Sequence, residues 1–185
     1  MQQIVTGHEH LGLSLYGDFL TPENEQLLIT RFSAGAPRNA QPRDTNRQSV
    51  RRYGSDKSYG SYMLAATIPD YLQALCDRLL ENKLVSVLPD SVSINEYLKG
   101  QLIPPHIDNP ASGRVITVLS VESSATMIFL RDQTRLSVEL PPRSLVQLQD
   151  ELRNDWQHAI EPVARRRYSL VFRCSCDGSN VPHIK

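Results

Sequence analysis

Two histidines and an aspartate carry the first chemical signal. His106 and Asp108 stand one residue apart in His106-Ile107-Asp108, after Pro104-Pro105 and before Asn109-Pro110. In extended backbone, residues i and i+2 project to the same side, so an imidazole and a carboxylate can converge on one ion. His158 follows 50 residues after Asp108, a separation that antiparallel strands can close. Two imidazoles and one carboxylate on one face of a metal leave three positions open, the facial arrangement of non-haem Fe(II) sites. By itself an H-x-D pair is also a common chance pairing of surface residues.

The segment after His158 adds a second signal. Arg167 and Arg173 are six apart on Arg167-Tyr168-Ser169-Leu170-Val171-Phe172-Arg173. Even spacing on a strand turns both to one face, away from Tyr168 and Phe172. Guanidinium pairs with carboxylate in bidentate fashion. Two inward arginines inside a small barrel would need anionic partners, and a dicarboxylate would serve both. The alternative is a set of arginines coating an edge strand. Asn95 and Tyr97 are two apart and share a face if extended. They read equally as a strand end with an amphipathic core tyrosine.

A third feature is basic. From Arg31 to Lys57 there are seven basic residues (Arg31, Arg38, Arg43, Arg47, Arg51, Arg52, Lys57) against Asp44 and Asp56, with Tyr53 and Tyr59 among them. Such a stretch is a solvated loop or a rim that grips phosphate and stacks on bases. Two lesser groups remain. Cys174, Cys176 and His183 fall short of a four-ligand zinc site. His8 and His10 precede the first apolar element and read as part of a mobile tail.

These side chains need elements to position them. Thr21-Pro22 opens a helix, with Thr as N-cap, Pro at the first position and Glu23 and Glu25 at the positive end. Leu27, Leu28 and Phe32 give it an apolar side. A second helix follows Pro69, where Leu72, Leu75, Cys76, Leu79 and Leu80 recur at helical spacing, and ends near Asn82-Lys83. Ser33 to Tyr62 reads as loop. Beyond Pro89 the period changes to two, at Val92 and Ile94, Val115 to Val121, Met127 and Phe129, Leu136 to Leu140, Leu145 to Gln149, and Tyr168 to Phe172. Several short strands with little helix between them point to a sandwich, barrel or jelly roll.

The whole chain bounds the answer. Its 185 residues suit one domain with a core of its own. Apolar residues at 40% and charged residues at 22% exclude global disorder. Lys+Arg and Asp+Glu are each 20, so a polybasic binder is excluded at the scale of the chain. Three cysteines cannot make a disulfide framework. No apolar run reaches the ~20 residues of a membrane span, and no secretory signal opens the chain. The expectation is a soluble intracellular protein, cytoplasmic or nuclear, and a monomer.

The ordered set Asn95-x-Tyr97, His106-x-Asp108, His158, Arg167-x-Ser169 and Arg173 resembles the AlkB family of Fe(II)/2-oxoglutarate dioxygenases. The core resemblance covers residues 91–174, and Tyr16-Gly17-Asp18-Phe19-Leu20-Thr21-Pro22 looks like the family's opening. The resemblance implies a mainly β protein with flanking helices, an α+β chain built on a double-stranded β-helix or jelly roll. It implies one domain over 1–185, with helices and a substrate-recognition lid in 1–90, the catalytic core in 91–174 and a tail in 175–185. It implies Fe(II) on His106, Asp108 and His158, and 2-oxoglutarate against Arg167, Arg173, Asn95 and Tyr97. Ser169 stands where many relatives carry Asn. With O2, the implied reaction yields succinate and CO2 and hydroxylates a C–H bond; a hydroxylated N-methyl group collapses to amine and formaldehyde. The implied substrate is modified nucleic acid, RNA or single-stranded DNA, with Arg47, Arg51, Arg52 and Tyr53 in the lid. Where DNA-repair relatives carry an acid after the metal aspartate, this chain has Asn109-Pro110-Ala111, as in relatives acting on RNA. A protein side chain as substrate, or a catalytically silent binding module, are the rival readings.

Overall fold

The computed structural model describes residues 1–34, 46–56, 63–64 and 66–174. Eight strands make the core. They are β5 (Ser91–Tyr97), β6 (Ile103–His106), β7 (Ile116–Val121), β8 (Ala125–Arg131), β9 (Thr134–Leu140), β10 (Leu145–Leu148), β11 (Gln157–Ile160) and β12 (Arg167–Arg173). Strands β10, β7, β12 and β5 lie side by side in one sheet, and β6, β11, β8 and β9 in the other. All pairings between these strands are antiparallel. The chain passes between the sheets at most connections, which is the jelly-roll arrangement.

The larger sheet is extended at both ends. β1 (Gln2–Ile4) and β2 (Leu13–Gly17) add beside β10, and β3 (Ser49–Asp56) and β4 (Met63–Leu64) add beside β5. These additions correct two expectations. The stretch read as loop contains β3, paired with β5 from Ser49 opposite Glu96 to Gly54 opposite Ser91. His8 and His10 do not lie on a loose tail. They sit at a 3-10 turn over Glu9–Leu11, between two paired strands, where Thr6 N–H donates to Glu9 Oε1.

Helices α1 (Pro22–Ala34) and α2 (Asp70–Glu81) cover the outer face of the larger sheet. Thr21 Oγ1 accepts from Asn24 N–H at 3.2 Å and caps α1. α2 ends with Leu84 N–H on Leu79 O and Lys83 N–H on Leu80 O, with Lys83 at φ +57, the left-handed closing turn that usually falls to glycine. One apolar cluster joins Leu28, Phe32, Leu72, Cys76 and Leu79 of the helices to Val92, Ile94, Leu119, Tyr168, Leu170 and Phe172 of the sheet. A second fills the space between sheets with Ile116, Val118, Met127, Phe129, Val146 and Val171. Both faces of the larger sheet are therefore buried, yet β5 and β12 still alternate in sequence, because their inner face carries Ser93, Asn95, Arg167, Ser169 and Arg173. Leu27, expected on the apolar side of α1, is 60% exposed. Glu25 takes the buried place instead, accepting from Glu122 N–H and from Arg143 Nη1.

Among the described residues no helix is long and apolar enough to cross a membrane.

Candidate active site

The strand pleat assigns side chains to the space between the sheets. β5 turns Ser93, Asn95 and Tyr97 inward while Val92 and Ile94 face the helices. β12 does the same with Arg167, Ser169, Val171 and Arg173, against Tyr168, Leu170 and Phe172 on the outer side. β12 lies between β7 and β5, so its arginines do not coat an edge. From the opposite sheet, His158 of β11 pairs directly with His106 of β6. Asp108 sits two residues past the end of β6 and brings its carboxylate to the same point.

These three side chains meet. One ligand-type atom from each of His106, Asp108 and His158 lies within 4.8 Å of the other two. The imidazole rings are 4.4 Å apart between centroids, and His158 Nε2 is 3.7 Å from Asp108 Oδ2. His106 Nδ1 is 2.9 Å from the Pro104 carbonyl. A carbonyl can only accept, so Nδ1 carries the proton, which leaves Nε2 as the nitrogen that can ligate. Burial pushes the His158 imidazole down to about 4, with Asp108 opposing, so it is neutral near pH 7. Burial alone would raise the Asp108 carboxyl. The Arg173 guanidinium, with His158 and His106, outweighs that and holds it below its usual value. Arg173 Nη2 donates to Asp108 Oδ1 at 3.2 Å, and Nη1 to Ser93 Oγ at 3.2 Å. Neutral imidazoles and an ionised carboxylate are the forms a cation binds.

Arg167 lies deeper and is fully buried. Nη2 donates to Ser120 Oγ at 2.9 Å, and Cζ sits 5.1 Å from the centre of the Tyr97 ring. Its Nε and Nη1, and Arg173 Nε, are buried without a hydrogen-bond partner. Leaving a buried cation unmatched is costly, and both arginines line a cavity of about 320 Å³. Asn95 Nδ2 donates to Ser169 Oγ at 3.2 Å, and the Tyr97 hydroxyl lies 3.5 Å from the same oxygen. A dicarboxylate fits this donor set. A divalent cation fits the adjacent triad.

The basic rim divides by pleat. Gln48, Val50 and Arg52 line the cavity together with Ile107 and Asn109. Arg51 and Tyr53 do not. Arg51 Nη1 donates to the Phe32 carbonyl at 3.0 Å, with its guanidinium 5.8 Å from the centre of that ring, and Tyr53 packs against the helix-side cluster. Arg47 is exposed, bridged by its backbone to Leu102, and is not part of the cavity wall. Of Arg47, Arg51, Arg52 and Tyr53, the four residues expected to bind substrate, Arg52 alone lines the cavity. Arg38, Arg43, Lys57, Tyr59, Cys176 and His183 lie outside the described residues. Cys174 is buried and its thiol donates to the Val87 carbonyl. The residue most clearly missed in the sequence is Arg153, five before His158, which donates to the carbonyls of Asp108, Asn109 and Gly113.

A family model for the 2OG-Fe(II) oxygenase superfamily matches residues 12–176. This chain belongs to that superfamily. The oxygenase is 27% identical over 177 residues to the uncharacterised protein L905 of Acanthamoeba polyphaga mimivirus, covering 92% of this chain and 79% of that one. It is 30% identical over 168 residues to the Xenopus tropicalis tRNA (carboxymethyluridine(34)-5-O)-methyltransferase alkbh8, covering 86% of this chain and 26% of the relative. It thus spans about a quarter of that relative's length. Its fold matches the solved structure of OsALKBH1 with a TM-score of 0.65 at 13% identity, covering 88% of this chain and 96% of the other. It also matches a Pseudomonas putida prolyl-4-hydroxylase with a TM-score of 0.55 at 20% identity, covering 90% and 94%. The oxygenase is AlkB-like, and its cofactor set is Fe(II), 2-oxoglutarate and O2.

Proposed function

We propose that this oxygenase oxidises a C–H bond on a modified base of RNA or single-stranded DNA, acting as an intracellular monomer. In this reading His106, Asp108 and His158 hold Fe(II), and Arg167 with Ser120 and Tyr97 takes the distal carboxylate of 2-oxoglutarate. Asn95, Ser169 and Arg173 border its other end. When bound, iron and 2-oxoglutarate supply, with O2, the means to hydroxylate a nearby C–H bond with succinate and CO2 as co-products. The protein does the positioning. Pro104 O fixes the His106 tautomer, and Arg173 orients the Asp108 carboxylate by pairing with one of its oxygens. Ile103, Ile116, Val118, Met127 and Ile160 line the cavity with apolar surface that limits water. A base reaches such a recess only unpaired or flipped out.

One observation carries the choice of substrate. Asp108 is the only acid among the described residues lining the cavity, and Gln48, Arg52 and Asn109 supply the polar side chains around its outer part. Two amides can read the hydrogen-bonding edge of a base, and an arginine can meet phosphate or an anionic substituent. Among the described residues a cationic methylated base would find no carboxylate there besides Asp108. The tRNA-modifying name of the Xenopus relative agrees with RNA. The reading therefore favours an uncharged or anionic modified base over 1-methyladenine or 3-methylcytosine.

The test is succinate release and product mass on a panel of short RNA and DNA strands carrying neutral, anionic and cationic modified bases. Oxidation of a neutral or anionic base supports the proposal. Uncoupled 2-oxoglutarate turnover with no strand oxidised, alongside hydroxylation of a peptide pool, would overturn it.

A further inference from the structure

The loop carrying Asp108 lies outside both sheets. β6 ends at His106, and β7 begins only at Ile116. Between them Ile107, Asn109, Pro110 and Arg114 are exposed. Some local bonds shape the loop: Asn109 Oδ1 accepts from Ala111 N–H at 2.9 Å, and Ser112 N–H donates to Asn109 O at 2.9 Å. None of these spans from the loop to the body of the fold.

Arg153 supplies that span. It lies on α3 (Asp150–Asn154), the short helix between β10 and β11, and is 1% exposed. Its Nη1 donates to Asp108 O at 3.0 Å, and its Nη2 to Asn109 O at 2.8 Å and Gly113 O at 3.2 Å. One planar guanidinium thus holds both arms of the loop, Asp108 and Asn109 on one side and Gly113 on the other. These are carbonyls that a strand ladder would otherwise satisfy. α3 is itself pinned from behind. Gln149 N–H donates to Gly12 O at 3.0 Å, and Gly12, at φ +96, approaches so closely that a Cβ there would sit 2.1 Å from Gln149 O.

We propose that Arg153 is a positioning residue that fixes both the metal-site carboxylate and the substrate rim. Asp108 is the triad member outside a strand, and Asn109 and Ser112 of the same loop line the cavity. Holding the three carbonyls sets where the Asp108 carboxylate stands before a metal arrives, and where Asn109 meets the substrate. Lysine, with a compact ammonium in place of a fork, cannot span the three acceptors.

The experiment uses the full chain with Arg153→Lys and Arg153→Met. Co(II) affinity is read by anaerobic titration, and amide hydrogen exchange is followed across the loop and the strands. Loss of an outer-shell support typically weakens metal binding by about 10–100-fold. Both variants are expected to bind Co(II) at least ten-fold more weakly, with faster exchange at Ala111 to Gly113 and unchanged exchange in β7 and β12. Unchanged Co(II) affinity in either folded variant overturns the proposal. So does faster exchange in β7 and β12 together with the loop, which would make Arg153 a general stabiliser. Arg153→Lys keeps the charge and most of the volume, and it decides the matter if Arg153→Met does not fold.

Discussion

Arg167 presents a cost that the fold bears without any visible return of its own. It is fully buried, two of its three nitrogens have no partner, and burial depresses its pKa, with Tyr97 opposing. Replacing a poorly matched buried ion with an apolar side chain of similar volume is often neutral or stabilising. Arg167→Met is therefore expected to leave the melting temperature of the cofactor-free protein unchanged or raised. The same variant is expected to lose the stabilisation that metal plus 2-oxoglutarate gives the parent. A ligand at about 100 times its Kd adds about 2.7 kcal/mol, so calorimetric scans with and without ligand check both halves. A lowered melting temperature without ligand would mean the guanidinium is structural. Cys76 makes the opposite case, a reactive group silenced by its surroundings. Its thiol is fully buried and, chiefly by burial, pushed up to about 12. In native protein at pH 8, iodoacetamide is expected to leave Cys76 unmodified by mass spectrometry, and to modify it once denatured.

At the scale of elements, β3 decides which basic residues can touch a substrate. Its neighbours in sequence face opposite ways, so Arg51 and Arg52 have different jobs. Arg51→Ala removes a charged hydrogen bond to Phe32 O and a contact with its ring. It is expected to cost about 1–2 kcal/mol in urea unfolding and leave oligonucleotide KM unchanged. Arg52→Ala is expected to leave stability within about 0.5 kcal/mol, raise oligonucleotide KM, and flatten its salt dependence. Matching effects from the two variants would remove the distinction. This strand was not legible in the sequence, because Ser49-Val50-Arg51-Arg52-Tyr53-Gly54-Ser55-Asp56 shows no apolar period. Its pairing with β5 makes it a strand. The strand β1 escaped for a related reason, since Gln2 to Ile4 is exposed throughout. By contrast the facing of Arg167, Arg173, Asn95 and Tyr97 was legible, because a period of two in extended backbone is geometric and holds whatever packs outside. Arg153 left no signal: an arginine on a five-residue helix announces nothing until the carbonyls it meets are known.

At the scale of the molecule, the two sheets divide the proposed site between them. His106 and His158 come from the smaller sheet, and Asn95, Tyr97, Arg167 and Arg173 from the larger. Asp108 joins them, set by Arg173 on one side and by its loop on the other. Iron held at the triad would anchor to the smaller sheet. 2-Oxoglutarate held at Arg167 would anchor to the larger. Each alone stabilises mainly its own side. Chelation of the iron by the cosubstrate would make a single bridge across the core, so the two should bind cooperatively. The expected result in thermal scans with Co(II), the non-turning 2-oxoglutarate analogue N-oxalylglycine, and both is a joint shift larger than the sum of the separate ones. In this size range about 1 kcal/mol corresponds to 2–4 °C, so an extra 2 kcal/mol of coupling would appear as about 4–8 °C. Asp108→Ala should abolish the excess, because the metal loses its carboxylate. Shifts that simply add in the parent protein would mean that the two ligands occupy independent sites, and that the sheets are not joined through them.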